Sequence, residues 1–441
     1  MSTATTPAQL VRELRDICGA EHIIEDPATL DAARILGVTP SVSVEPASAE
    51  EIAAILRVAN QQGLNVVPAG GSTQQQSGSV PSQVDVLLCT SRLTEVQHYD
   101  PGDLTVGIGA GCTVAQLASM VAKDGLLFAA DVPLPERATV GGMLATGMTG
   151  PLRHGYGGLR DYCIGVRFVT GDGRKGKGGG RVVKNVAGFD LMKLLIGSRG
   201  TLAVITGASF KLFPAPRQTR TFVANFANSA DAIQFRNNVQ RSPLSPICLE
   251  LISPEIQSLL PAGRSAMAWS ICVRASGSDA VLARYRAELG TAISSEVDSA
   301  AEAGLWRAVQ DLPHALSQQR PDSLLIAFSL PPADVQTTLT DLEATTAANN
   351  LTLAVIGRVG VGHLLAAMWP KADSKADVGA TLSNLRDRLP RDASMSVLYC
   401  PSALRHEIAT WQKTPTDLES MRAVKRTLDP KDVLNRRRFV L

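Results

Sequence analysis

Residues 141 to 207 hold 18 of the chain's 37 glycines within 67 positions. Glycine loses more conformational freedom on folding than any other residue. A structure that fixes so many needs its backbone in left-handed turns or close against a ligand. The stretch is not a linker, because the apolar runs DYCIGVRFVTG, LMKLLIG and TLAVITGASFKLF are threaded through it. The density predicts a folded binding region approached by backbone. A second glycine turn, in GLNVVPAGGSTQQQSG at 63–78, follows a short apolar run. Its successive N–H groups and hydroxyls suit an anion. Neither G-x-G-x-x-G between strand and helix nor G-x-x-x-x-G-K-[ST] occurs, and Gly107, Gly109 and Gly111 lack the dinucleotide spacing.

A chain of 441 residues exceeds one compact core and implies two domains or more. With 45% hydrophobic and 19% charged residues it reads as globular, and a net charge of +2 points to neither nucleic acid nor an acidic membrane surface. The seven cysteines (Cys18, Cys89, Cys112, Cys163, Cys248, Cys272 and Cys400) are scattered without a C-x-x-C pair. They read as buried thiols of a reducing cytoplasm, with no disulfide, zinc or iron–sulfur framework. No secretion signal and no transmembrane segment are expected.

Local signals divide the chain. Thr6 and Gln9 with Pro7 predict a first helix ending at Gly19, and Ser48 with Glu51 predicts a second ending at Gly63. LNVVP, VDVLL and LTVGIGA read as strands, and Thr113 with Gln116 opens a helix closed by Gly125. Residues 20–130 thus read as one small α/β unit. After FPAPRQ the glycines thin out. ICLELI, AWSICVRA, SLLIAFSL and LTLAVIGRVG then alternate with helical stretches, as in a ferredoxin-like α+β cap. No internal repeat is visible in sequence.

TVGGMLATGMTGPLRHGYGGLRDYCIGVRFVTGDG, followed by RVVKNVAGFDLMKLLIGSRGTLAVIT, resembles the FAD-binding domain of the vanillyl-alcohol oxidase, or PCMH-type, flavoproteins. The second motif is most similar to FAD-binding subunits of glycolate oxidase. The resemblance covers residues 35–215 and the C-terminal LDPKDVLN. It implies an α+β fold with a two-part FAD-binding domain over 35–215 and a smaller ferredoxin-like cap over 216–415. A helical segment would precede these at 1–34, and 416–441 would return to the FAD domain.

The resemblance also implies where FAD would lie. Pro68, Gly70, Gly71, Ser72 and Thr73 would wrap its pyrophosphate. Pro133, Thr139, Gly141, Gly142, Ala145 and Thr146 would follow the pyrophosphate, ribityl chain and flavin edge. Gly150, Arg153, Gly155 and Asp161 would form the next turn against the cofactor. Gly200 and Ile205 would contact it through backbone, Asn435 would reach it from the C-terminus, and Lys184 and Asn185 would lie near the flavin entrance. The implied activity is oxidation of a 2-hydroxyacid such as glycolate, by hydride transfer to flavin. Electrons would pass to a homologous flavoprotein subunit and an iron–sulfur subunit. The alternative is an FAD-bearing relay subunit without substrate chemistry.

Departures from the family bear on mechanism. No histidine or cysteine accompanies the Gly70–Gly71 turn, so non-covalent FAD is expected, with His154 a lone later histidine. Related D-lactate dehydrogenases carry paired histidines and a glutamate as a metal site. The six histidines here include no such pair, so no metal is expected. Arg358 and His363, in GRVGVGHLLAAMW, are the cap candidates for substrate carboxylate and catalysis. Where the family continues Pro-Gly after the asparagine, this chain has Arg436-Arg437-Arg438. The resemblance implies a cytoplasmic protein, with attachment at the inner membrane through a complex as the alternative.

Overall fold

The computed structural model describes residues 7–181, 189–257, 259–260, 268–372, 377–405, 408–411 and 417–439. Helix α1 (Pro7–Cys18) packs Leu10, Leu14 and Cys18 into the first core. Strands β1 (Ile23–Ile24), β2 (Val42–Val44), β3 (Val66–Ala69) and β4 (Val86–Cys89) form a sheet of order β1-β2-β4-β3, parallel except for β1. Helix α2 (Ala49–Gln62) crosses between β2 and β3. Ser48 accepts from the Glu51 N–H, and Gly63 ends the helix in the left-handed conformation. The glycine turn leaves the carboxyl end of β3.

The run LTVGIGA leaves this sheet, so residues 20–130 are not one unit. It becomes the second strand of a five-stranded antiparallel sheet. That sheet comprises β5 (Val96–Asp100), β6 (Thr105–Gly109), β7 (Cys163–Thr170), β8 (Lys175–Gly179) and β9 (Ala203–Lys211), ordered β5-β6-β9-β7-β8. Buried on both faces, β6 carries no alternation that would assign it to one sheet over the other. Along the chain between β6 and β7 come α3 (Val114–Ala122), opened by the Thr113–Gln116 capping box, and α4 (Val140–Thr146), capped by Thr139.

The cap holds one eight-stranded antiparallel sheet. Its first half is β10 (Thr219–Phe226), α5 (Ser229–Arg241), β11 (Cys248–Ile252), β12 (Trp269–Ser276), α6 (Asp279–Leu289) and β13 (Ser295–Val297). Helix α7 (Ser299–Gln319) links it to the second half. That half is β14 (Leu324–Ser329), α8 (Val335–Ala348), β15 (Leu351–Arg358), β16 (His363–Pro370), α9 (Val378–Arg388) and β17 (Ser394–Tyr399). The order β13-β10-β12-β11-β15-β16-β14-β17 reads as two β-α-β-β-α-β units joined at β11 and β15. The ferredoxin-like pattern therefore occurs twice, a structural repeat that left no sequence repeat.

Helices α5, α6, α8 and α9 cover one face of this sheet. Helix α7 covers part of the other and ties the cap to the FAD domain. Asp311 accepts from the Leu134 N–H at 2.8 Å, and Arg307 pairs with Glu136 at 2.8 Å. The final helix α10 (Leu418–Leu428) stops at Asp429, ahead of Pro430, and the chain returns to β3. Asp429 is 1% exposed and accepts from Lys425 Nζ and from the Val433 and Leu434 N–H groups.

Candidate functional site

The return of the C-terminus builds one wall of a cavity. Val66 donates to Val433 and accepts from Asn435, so residues 433–435 lie along β3 just before the glycine turn. The two glycines are required by close approach. A Cβ on Gly70 would lie 2.0 Å from Thr139 Oγ1, and one on Gly71 would lie 1.6 Å from the Arg137 carbonyl oxygen. The turn is thereby pressed against the start of α4, with Ser72 at φ +55°. A cavity of about 980 Å³ opens between turn, helix and β9.

Pro68, Gly70, Gly71, Ser72, Thr73, Pro133, Thr139, Gly141, Gly142, Ala145, Thr146, Gly200, Ile205 and Asn435 all line it. Backbone and hydroxyls make its turn end, while Val132, Met143, Ala203 and Val204 make an apolar wall. Among the described residues two guanidiniums also line it, Arg199 and Arg438, and no carboxylate does. Arg199 donates to Ser77 Oγ at 2.6 Å and lies 4.6 Å from the Trp411 ring centroid. Arg438 donates to Gln75 and to the Ser77 carbonyl. Burial pushes each guanidinium down to about 10. Asn435 Oδ1 is buried without a partner. Cationic groups without counter-ions, a free acceptor, a glycine cradle and an apolar wall together fit FAD.

Gly150, Arg153, Gly155 and Asp161 lie outside this cavity. Leu152 and Tyr156 pack into the cap's inner core, which turns the segment away from the cofactor side. The Gly155 N–H donates to the Ile247 carbonyl at 3.1 Å, and a Cβ there would meet Ile247 Cα at 2.7 Å. A Cβ on Gly150 would meet the Asp131 carbonyl oxygen at 2.0 Å. Asp161 accepts from the Gly158 N–H and caps the short helix that follows. Arg153 faces the charges of Arg358 and Asp161. These residues brace the two domains against each other. Lys184, Asn185 and His406 lie outside the described residues.

A second chamber, of about 690 Å³, lies against the cap sheet and shares Gln74, Pro133, Thr146, Met148 and Arg199 with the first. Its floor follows from strand register. Glu250 on β11 faces Arg358 on β15, Arg358 faces His363 on β16, His363 faces Ser329 on β14, and Ser329 faces Ser394 on β17. Directly opposed residues share a sheet face. The row therefore presents Arg358, His363, Ser329 and Ser394 to the chamber.

Arg358 Nη1 is 3.0 Å from His363 Nδ1. A guanidinium only donates, so Nδ1 accepts and the neutral ring carries its proton on Nε2. Burial first, then Arg358 and Arg153, hold the imidazole well below its ordinary pKa. Behind the row, burial pushes Glu250 up to about 8 and Asp131 up to about 6, against the opposing pull of Arg358. Glu250 Oε2, Asp131 Oδ1 and Arg358 Nε are buried without partners. Among the described residues, no group of three or more His, Cys, Asp or Glu side chains is arranged to hold a metal ion.

Several members of the site escaped sequence reading. Glu250 was detectable in principle, as the one charge within the apolar strand run ICLELI. Arg199 stands as a lone cation in the glycine motif GSRGTL. Ser329, Ser394, Ser396 and Asp131 carry no local signal, because only the pairing of distant strands brings them together. A wider mouth joins the chambers to solvent, with Arg137, His314 and Arg405 on its wall and, among the described residues, again no carboxylate.

Comparisons with known proteins agree with this geometry. Residues 40–175 match the FAD binding domain family, and residues 215–383 with 404–439 match the C-terminal domain of FAD linked oxidases. A D-lactate dehydrogenase of Archaeoglobus fulgidus is 38% identical over 211 residues, 48% of this chain and 47% of that protein. The chain thus spans about half the length of that curated relative. The glycolate oxidase subunit GlcD of Bacillus subtilis is 22% identical over 413 residues, 90% of this chain and 88% of that protein. p-Cresol methylhydroxylase with substrate bound superposes with a TM-score of 0.74 at 15% identity, covering 97% of this chain and 95% of that one. Cavity, domain order and these likenesses together place the chain among the FAD-binding flavoproteins of the PCMH type.

Proposed function

We propose that the chain oxidises a 2-hydroxyacid, of which glycolate is the smallest, in the chamber between the cap sheet and the FAD cavity. The observation that carries this reading is the pairing of Arg358 with His363 on a chamber that opens directly onto the cofactor cavity. Bound FAD supplies a two-electron acceptor for the hydride on the α-carbon. The guanidinium of Arg358, which has a buried unpartnered Nε, holds the substrate carboxylate. The Nε2–H of His363 donates to the hydroxyl oxygen and so orients it, and as the α-hydride leaves for the flavin the hydroxyl proton passes to water in the mouth of the chamber. FAD is held non-covalently in this reading, since among the described residues no histidine or cysteine lines its cavity.

One observation favours the alternative of an electron-relay subunit. Among the described residues no carboxylate lines the chamber, and the imidazole there has Nδ1 occupied by Arg358, so the chamber offers no evident base for the hydroxyl proton. In either reading electrons pass on to partners, here a homologous flavoprotein and an iron–sulfur subunit, as the likeness to a glycolate oxidase subunit supports. Among the described residues no helix is long and apolar enough to cross a membrane. The test is the flavin spectrum of the isolated chain on anaerobic addition of 2-hydroxyacids. Bleaching supports the enzyme, and Arg358→Met should abolish it at low substrate. Flavin that stays oxidised with every 2-hydroxyacid leaves the relay reading.

A further inference from the structure

Resting on the 2-hydroxyacid reading of the chamber, we infer that the mouth collects anions from solvent. The guanidiniums of Arg137 and Arg405 draw the substrate carboxylate toward the chamber before it meets Arg358. The mouth has a volume of about 1540 Å³ and shares Gln74, Pro133, Met148, Pro313 and Leu398 with the chamber, which opens to solvent through it. Arg137 stands on its FAD-domain wall, and His314 and Arg405 stand on its cap wall. None of the three lines the cofactor cavity or the chamber. They are therefore separate from the groups that cradle FAD or meet the reacting carboxylate. With 43 basic and 41 acidic residues the chain as a whole attracts anions weakly, so any steering has to be local.

The wall is marked by its sign and by its partners. Among the described residues no aspartate or glutamate lines it, and the Arg137 guanidinium has no hydrogen-bond or ion-pair partner. The backbone beneath that guanidinium is fixed. Its N–H donates to the Leu134 carbonyl at 2.9 Å, and its own carbonyl is pressed against the Gly71 turn. Arg405 donates to the Cys400 carbonyl at 2.8 Å and reaches Gln76 Oε1 at 3.5 Å, neutral acceptors that hold the fork without cancelling its charge. Glu136 and Asp311, the carboxylates nearest Arg137 and His314 in the chain, both turn to Arg307 and do not line the mouth. Elsewhere exposed arginines stand beside carboxylates, as Arg220 and Arg286 do at Glu296. A concave wall of one sign focuses its field and raises the local concentration of the opposite ion. Salt weakens this, because the screening length falls from about 10 Å at 0.1 M to about 3 Å at 1 M. Neutral alcohols gain nothing from such a field, so the mouth sorts by charge before the chamber sorts by shape.

The test uses the FAD-loaded chain at measured FAD content and has two arms. In anaerobic stopped flow, the second-order rate of flavin bleaching by glycolate or lactate should fall as salt is raised. Arg137→Gln with Arg405→Gln should lower the low-salt rate by roughly 3- to 10-fold and flatten its salt dependence. The limiting rate at saturating substrate should stay that of the parent. Arg137→Lys with Arg405→Lys keeps both charges and should keep the parent's salt dependence. The second arm needs no substrate. Quenching of flavin fluorescence by iodide is compared with quenching by neutral acrylamide at fixed, low ionic strength. The iodide-to-acrylamide ratio should be higher in the parent and the Lys variant than in the Gln variant. Equal ratios in parent and Gln variant overturn the inference, and bleaching by a 2-hydroxyacid in the same samples leaves the substrate reading standing. A low-salt rate that Gln lowers and Lys does not restore also overturns it, because steering reads charge and not fork geometry. A raised iodide ratio without bleaching by any 2-hydroxyacid supports the anion-collecting mouth and overturns the substrate reading.

Discussion

Replacing Glu250 by glutamine should change how stability and substrate binding respond to pH. Glu250 is 1% exposed, and burial lifts its carboxyl from an ordinary 4.5 to about 8, with Asp131 adding to the rise and Arg358 opposing it. A carboxyl raised in this way keeps a proton in the folded protein that the unfolded chain has already released. Its stability is complete below the unfolded value and is lost as pH rises toward the folded one. The slope is about 1.4 kcal/mol per pH unit, or about 3 kcal/mol lost by pH 7. Glutamine has no proton to lose. Urea unfolding of the FAD-loaded protein at about pH 6, 7 and 8 should show Glu250→Gln gaining on the parent at each step, by about 1 kcal/mol, with the smaller gain between pH 7 and 8 as the folded carboxyl ionises. Above about pH 8 the ionised Glu250, directly across from Arg358, competes with the substrate carboxylate. The parent's half-saturating concentration should then rise, and that of the variant should not. Parallel stability profiles for the two proteins would refute the reasoning.

Arg358→Met should raise the half-saturating 2-hydroxyacid concentration by roughly 30-fold or more, read from flavin bleaching at measured FAD content. Loss of the Nε2–H donor in His363→Phe should slow flavin reduction by roughly 100- to 1,000-fold in stopped-flow traces. Because the imidazole is held neutral by burial, Arg358 and Arg153, the parent rate should show no histidine titration between about pH 6 and 8. Gly71→Ala cannot be accommodated at 1.6 Å from the Arg137 carbonyl, so it should purify flavin-free, as absorbance will show. Asp429→Asn leaves Lys425 paired with Asp432 alone and weakens the acceptor for the N–H groups of 433 and 434, and should cost about 1–2 kcal/mol in denaturant unfolding.

The FAD half was legible because its chemistry is local. A glycine turn, a capping threonine and a short helix are contiguous in the chain, and their demands on φ and on close approach are written in residue type. Thus Gly70, Gly71 and Thr139 could be placed on one cavity before any fold was known, and the structure shows why each is needed. The same reasoning failed at 150–161, where glycine density came from packing against Ile247 and Asp131 rather than from cofactor approach. Glycine reports closeness and not what is close.

The cap chamber was barely legible. Arg358 and His363 drew notice as polar residues beside a glycine strand, yet their neighbours come from three other strands. Glu250, Ser329 and Ser394 meet them only through the register of an eight-stranded sheet. Register across distant strands depends on burial of whole faces, to which each short segment contributes weakly. Residue type along the chain therefore determined that this protein builds a backbone-lined cavity of a shape that fits FAD. The joining of two ferredoxin-like units at β11 and β15, against the FAD domain, decided which side chains line the chamber beside that cavity. It placed Arg358, His363 and Arg199 on one chamber, because only long-range pairing and packing bring together residues so far apart in sequence.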